Sequence, residues 1–202
     1  MSTTTEISPD LVKKLRDMTS AGMMDCKKAL VEANGDLAAA EVILRKKGAA
    51  SASKKASREA NEGVISSYIH AGEKVGVLLE INCETDFVAR TDSFRGLVKD
   101  IALQIAAASP RYVTREEVPQ ADIDKEKDIA GDQMKNKPAN VIEKIVAGKL
   151  DKYFATHCLL EQSFIKDPNV TIRDIVSAKI VELGENIVLR RFSRFQLGET
   201  LS

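Results

Sequence analysis

Asn82-Cys83-Glu84-Thr85-Asp86-Phe87-Val88-Ala89-Arg90 marks a point where a strand gives way to a helix. Just upstream, Val75, Val77, Leu79 and Ile81 alternate with Gly76, Leu78 and Glu80, the period-two pattern of a strand with one buried face. Thr85 carries the hydroxyl of a good helix N-cap, and Asp86 places a carboxylate at the first helical position, where the helix dipole favours it. Phe87 falls in that first turn, beside the mouth of the connection. A large aromatic there is either a plug for the core or a side chain offered to a partner, and phenylalanine in general favours the core.

Working outward, residues 63–71 and 75–82 flank the turn Ala71-Gly72-Glu73-Lys74 and read as a β-hairpin. Downstream, Asp92-Ser93 restarts a helix that runs to about Ser109. Phe94, Leu97, Val98, Ile101, Ala102 and Ile105 recur along it at helical spacing, so it should be the main helix packed on the sheet. Pro110 follows its end, and residues 112–119 form a connection. Residues 122–152 read as a helical hairpin whose arms meet at Asn136-Lys137-Pro138. Ile123, Ile129 and Met134 lie on the first arm; Val141, Ile142, Ile145, Val146 and Leu150 lie on the second. Residues 154–164 give no clear element. Thr171, with Asp174 three residues on, then caps a helix lined by Ile172, Ile175, Val176, Ile180 and Leu183, with Lys179 as a misfit at its edge. Residues 186–195 read as a final strand.

The N-terminal part is helical. Ser8-Pro9-Asp10 has the order of a helix start, and Leu11, Val12, Leu15 and Met18 make one apolar face. A second helix over 24–33 turns Cys26, Ala29, Leu30 and Ala33 inward. Asn34-Gly35 is a turn, and Asp36 caps a third helix with Leu37, Ala40, Val42, Ile43 and Leu44 inward, closing at Lys46-Lys47-Gly48. Three short helices in fewer than fifty residues resemble a ubiquitin-associated-type domain near the lower size limit for a stable core. Met23 and Met24 cannot both point inward from one helix start; either one is core and the other an adaptable contact, or both pack within the small domain. The organisation expected is α+β: a three-helix partner-binding domain (1–48), a basic and partly helical linker (49–62), and a core (63–202). In that core a small antiparallel sheet is packed with helices and carries the helical hairpin.

The composition narrows the function. Of 202 residues, 44% are hydrophobic and 30% charged, as expected of a folded globular chain. Thirty basic residues balance thirty acidic ones, which argues against direct nucleic-acid binding as the main task. No apolar run approaches the roughly 20 residues of a membrane span, and the N-terminus lacks a signal-peptide core. Cys26, Cys83 and Cys158 are odd in number and far apart, fitting buried thiols in a reducing compartment rather than disulfides or a zinc site. His70 and His157 have no metal-ligand spacing to other candidates. No glycine-rich phosphate cradle is present, and no nucleophile, base and orienting group can be named together. No cofactor, no metal and no catalytic site are expected.

Three stretches together resemble the elongation factor Ts family. They are Leu15-Arg16-Asp17-Met18-Thr19-Ser20-Ala21-Gly22-Met23-Met24-Asp25-Cys26-Lys27-Lys28-Ala29-Leu30, the Ile81–Val88 stretch around Thr85-Asp86-Phe87, and Leu183-Gly184-Glu185-Asn186-Ile187-Val188-Leu189-Arg190-Arg191-Phe192. They lie in the family's order and span nearly the whole chain. The resemblance implies a factor that binds elongation factor Tu and promotes release of its GDP by disturbing the magnesium and phosphate region, without covalent chemistry. It implies Asp86 and Phe87, flanked by Thr85 and Val88, as the intruding group. A carboxylate near magnesium attracts the ion as readily as it helps displace it, so the role of Asp86 stays open. The resemblance further implies that Arg16, Met23 and Met24, and separately Leu183 and Gly184, contact the partner's GTP-binding domain. It also implies a projecting coiled-coil form for the hairpin. His70, in Ser67-Tyr68-Ile69-His70, resembles a histidine that longer members present from the second of two core halves. This chain has one core unit, so a homodimer is implied, with an exposed sheet face or edge near residues 186–195 as its interface. The expected location is the cytoplasm, or an organelle interior after removal of a transit peptide. The competing reading is a dimeric adaptor that binds another protein through its three-helix module, with Phe87 in the core. A small thiol enzyme built on Cys83 comes third.

Overall fold

The computed structural model describes residues 7–19, 21–132 and 139–200. Its elements are α1 (Pro9–Thr19), α2 (Met23–Glu32), α3 (Leu37–Lys55), β1 (Glu62–Ile69), β2 (Val75–Cys83), α4 (Asp86–Ala89), α5 (Asp92–Ala108), α6 (Gln120–Asp132), α7 (Ala139–His157), β3 (Ser163–Phe164), β4 (Asp167–Thr171), α8 (Ile172–Leu183) and β5 (Ile187–Gln196). An antiparallel sheet has the order β1-β2-β5, so β2 is the central strand; β3 and β4 pair antiparallel in a second, two-stranded sheet. The α+β class with leading helices is therefore observed. The chain divides into two compact units, one of Met1–Val64, Ile81–Val98 and Asp174–Val188, the other of Ile65–Glu80, Lys99–Arg173 and Leu189–Ser202.

In the first unit, α1, α2 and α3 enclose a core of Val12, Leu15, Cys26, Ala29, Leu30 and Ala40. The caps fall where the sequence puts them. Leu11 N–H donates to Ser8 Oγ at 3.3 Å, and Ala39 N–H donates to Asp36 Oδ1 at 2.9 Å. Asn34 and Gly35 both take positive φ, 51° and 87°, as a tight reversal between helices requires. Met18 and Val42, expected inward, are exposed; the buried stripe of α1 is narrower than its apolar pattern. Helix α3 does not close at Gly48. It continues to Lys55 through Ala49, Ala50 and Ala52, strong helix formers that carry no apolar stripe. Its far end is fastened where Lys55 Nζ donates to the Ile180 carbonyl at 3.2 Å. The edge placement of Lys179 holds: its ammonium reaches Ser93 Oγ at 2.9 Å and Glu182 Oε2 at 2.7 Å.

In the second unit, His70 N–H donates to the Val75 carbonyl at 2.9 Å, closing the hairpin over Gly72 and Glu73, both at positive φ. Helices α6 and α7 pack together as the expected hairpin; its corner at Asn136-Lys137-Pro138, and Met134, lie outside the described residues. Helix α7 runs on to His157, beyond the expected end near residue 152. Phe154 and Cys158 join Val118 in a small core, with Tyr112, Ile123, Leu150 and Tyr153 against it. The stretch that gave no clear element thus resolves into the last turn of α7, a 3-10 turn over Leu159–Glu161, and β3.

Two glutamines are buried there, Gln104 at 0% and Gln162 at 4% exposure. Gln104 Nε2 donates to Gln162 Oε1 at 3.1 Å and to the Ser163 carbonyl at 3.2 Å, while Ile165 N–H donates to Gln104 Oε1 at 2.9 Å. Gln162 Nε2 donates to the Thr156 carbonyl at 2.7 Å.

Candidate functional site

The strand-to-helix turn has the form that the sequence indicates. Thr85 has extended backbone angles, and its Oγ1 accepts from Val88 N–H at 3.3 Å; Asp86 opens the four-residue helix α4. Val88 and Ala89 are buried and anchor the turn. Phe87 points outward and is 79% exposed, the most exposed large apolar side chain among the described residues. The core reading of Phe87, which the adaptor reading assumed, is not what the structure contains. Asp86 is exposed, and its Oδ2 accepts from Arg90 Nη2 at 2.7 Å across one helical turn. A surface pair of this kind contributes little to stability, but it gives the carboxylate a preferred direction.

The loop Leu183-Gly184-Glu185-Asn186 is bonded to this turn. Glu84 N–H and Thr85 N–H both donate to Glu185 Oε2 at 3.1 Å, and the Thr85 hydroxyl donates to Glu185 Oε1 at 2.6 Å. In return, Asn186 N–H donates to Glu84 Oε1 at 2.6 Å, and Arg58 Nη1 donates to the same oxygen at 3.4 Å. The Asn186 backbone N–H, and after it the Arg58 guanidinium, keeps the Glu84 carboxyl below the usual glutamate range. Gly184 takes φ 77°, a left-handed conformation that lets α8 end and the chain reverse at once. Leu183 is half-buried and Gly184 exposed, so Gly184 lies on the surface of a loop directly bonded to the turn that carries Phe87.

Cys83, at the end of β2, is fully buried, and its thiol donates to the Thr85 carbonyl at 3.1 Å. Burial, and then the Glu185 carboxylate, push this thiol up to about 11. Cys158 is likewise pushed up to about 11, chiefly by burial. Both are protonated at neutral pH, the opposite of what a nucleophile or metal ligand needs. Among the described residues, no group of three or more His, Cys, Asp or Glu side chains is placed to hold a metal ion. No helix of the described residues is long and apolar enough to cross a membrane.

In the three-helix part, Met23 and Met24 are 50% and 63% exposed, so neither is core; the buried positions of α2 begin one turn later, at Cys26. Arg16 is exposed on the last turn of α1. Met18, read from the sequence as part of the apolar face of α1, adds a third exposed methionine, at 54%, at the α1–α2 corner. Thr19 fastens that corner: its hydroxyl donates to the Leu15 carbonyl at 2.8 Å and accepts from Ala21 N–H at 3.4 Å. His70 is exposed in the second unit, with Nδ1 at 2.9 Å from the Tyr68 hydroxyl.

Known proteins give the arrangement a family. The family model described as Elongation factor TS matches residues 49–199, three quarters of the chain. The chain belongs to the elongation factor Ts family. Among its curated relatives, Elongation factor Ts of Carboxydothermus hydrogenoformans is 59% identical over 198 residues, covering 97% of this chain and 91% of that protein. Elongation factor Ts of Fervidobacterium nodosum is 60% identical over 196 residues, covering 96% and 100%. That of Thermodesulfovibrio yellowstonii is 58% identical over 195 residues, covering 96% and 98%. The carboxylates that fasten the turn, Glu84 and Glu185, lie inside the motifs that suggested the elongation factor Ts family, and Arg90, which directs Asp86, lies two residues past Val88. Sequence reasoning did not single out Glu84 and Glu185, because their hydrogen bonds join positions about a hundred residues apart.

Proposed function

We propose that this chain is a guanine-nucleotide exchange factor for elongation factor Tu in translation elongation, acting in the cytoplasm and making or breaking no covalent bond. The exposed Phe87 on its fastened turn carries this reading. An apolar ring left in water at the tip of a rigid turn gains roughly 2–3 kcal/mol when a partner pocket buries it. A factor that binds the nucleotide-free partner better than the nucleotide-bound one must weaken nucleotide binding by the same ratio. Phe87 supplies the apolar part of that difference at the magnesium and phosphate region; Asp86, directed by Arg90, supplies charge beside it. Thr85 and Val88 seat the turn. Arg16, Met23 and Met24 contact the partner's GTP-binding domain, flexible methionines suiting a surface that must fit more than one state, and Leu183 and Gly184 contact the same domain.

In this reading His70 reaches the partner from a second copy of the chain, and the active form is a homodimer. What supports a self-association surface is the open sheet face of the second unit, where Ile65, Ile69, Leu78 and Phe195 are all exposed. Release of labelled GDP from elongation factor Tu, with the wild-type chain and with Phe87→Ala, tests the exchange reading. Fast release that the variant loses while keeping its circular dichroism and melting supports it; no acceleration by the folded wild-type chain rejects it. Sedimentation of the wild type against Ile65→Glu and Leu78→Glu tests the dimer, and a wild-type monomer with full activity removes it.

A further inference from the structure

We infer that Glu185 is a positioning residue for the exchange step, holding the Phe87 turn from behind so that the ring can push against a partner; this rests on the exchange reading above. Phe87 gains almost no position from packing, since it is 79% exposed and α4 is only four residues long. Its place is set by Thr85, and Thr85 is set by Glu185. The Thr85 hydroxyl has one proton, and it goes to Glu185 Oε1 at 2.6 Å; that leaves the oxygen's lone pairs for Val88 N–H at 3.3 Å. The other carboxylate oxygen takes the backbone N–H groups of Glu84 and Thr85, each at 3.1 Å. One carboxylate therefore absorbs three donors from two successive residues, all charge-assisted.

Glu185 is itself held. Gly184 at φ 77° sets its direction, and the next residue returns the contact, with Asn186 N–H on Glu84 Oε1 at 2.6 Å and Asn186 Nδ2 on the Arg58 carbonyl at 2.9 Å. Each segment thus gives a side-chain carboxylate to the other's backbone. With both oxygens of Glu185 occupied by its own chain, the carboxylate is not a free contact for a partner. A wedge transmits force only if displacing it costs more than moving what it presses on. The fastening lies behind the turn, and the face that carries Phe87 is left open.

The test is a double-mutant cycle on exchange. Glu185→Ala should lower the maximal GDP-release rate at saturating factor about tenfold, the scale of a lost hydrogen bond to a charged group. The half-saturating concentration should stay within about twofold, because contacts elsewhere dominate encounter. Thr85→Ala should cost a similar factor, and Glu185→Ala with Thr85→Ala should cost no more than the larger single effect, since both act through one turn. Glu185→Gln keeps the shape and an acceptor oxygen, so it should recover part of the rate, and it serves if the alanine variant does not fold. Additive losses, a shift in half-saturation at unchanged maximal rate, or full activity of a folded Glu185→Ala each overturn the inference. If the wild-type chain releases no GDP, the exchange reading fails and takes this role with it. Amide hydrogen exchange at Val88 then judges the fastening alone: faster in Glu185→Ala if the carboxylate holds the turn, unchanged if it does not.

Discussion

Phe87 and Gln104 both stand against the ordinary partition of side chains, in opposite directions. Phe87 is an aromatic ring in water; Gln104 is an amide with no exposure at all. Gln104 finds its partners inside the chain, in the Gln162 carbonyl oxygen, the Ser163 carbonyl and the Ile165 N–H. Phe87 finds none, although the turn beneath it is held by hydrogen bonds through the Glu185 carboxylate and the Thr85 hydroxyl. A buried polar group whose bonding is complete defines architecture, because any other arrangement would strand it. An apolar group whose burial is withheld, on a backbone that is not free to move, points to something outside the chain.

Removing Gln104 should have the largest effect and should fall on folding. Gln104→Ala strands the Gln162 oxygen, the Ser163 carbonyl and the Ile165 N–H, so unfolding free energy should drop on the order of 3–4 kcal/mol. Exchange per folded molecule at low temperature should be unchanged. A folded Gln104→Ala that melts like the wild type would remove the architectural half of the comparison. Phe87→Ala should show the reverse: about 2–3 kcal/mol lost from exchange, with melting nearly unchanged because the side chain it removes is 79% exposed. If Phe87→Ala instead melts early, the ring is supporting its own turn and the contrast collapses.

Cys83 separates the two classes more finely. It is buried like Gln104 yet bonded directly to the Thr85 carbonyl, in the turn that carries Phe87. Cys83→Ala should cost about 1 kcal/mol of stability, the scale of a small core deletion, and leave GDP release almost untouched. A folded Cys83→Ala without exchange activity would move the thiol into the functional class.

Most of the fold was legible because the local signals agreed with one another. The period of Val75, Val77, Leu79 and Ile81 gave β2, and Asp36, Ser8 and Thr85 each sat at a true helix start. Three things were not legible, each for a physical reason. The extension of α3 past Gly48 depends on helix propensity without an apolar face, and on a tertiary bond from Lys55 to the Ile180 carbonyl. The β3–β4 pair is too short for a pattern and is tied in by Gln104, some sixty residues earlier in the sequence. Within the site, Thr85, Asp86 and Phe87 were found from local chemistry and family likeness. Glu185 was not, because a carboxylate that bonds a distant backbone looks the same in sequence as one that bonds water. Exposure was the property least visible from residue type alone: Phe87 stood open between a core plug and a partner contact, and at least one of Met23 and Met24 was expected in the core, whereas all three are exposed.

The smallest effect expected is acid sensitivity of the fastening, and it too divides the two regions. The Glu84 carboxyl is held below the ordinary glutamate range, first by the Asn186 N–H and then by Arg58. A group whose folded value is depressed contributes stability above its unfolded value, near 4.3, and loses it as pH falls through the folded value. Melting followed from pH 6 down into the acid range should therefore show a loss in the wild type that is shallower in Glu84→Gln, because the amide has no proton to gain. Gln104 and Gln162 do not titrate, so a Gln104→Ala chain should keep the wild-type slope on a lower curve. Equal slopes for wild type and Glu84→Gln would mean that the Asn186 contact does not bias this carboxyl. The tie between the two segments would then rest on Glu185 alone.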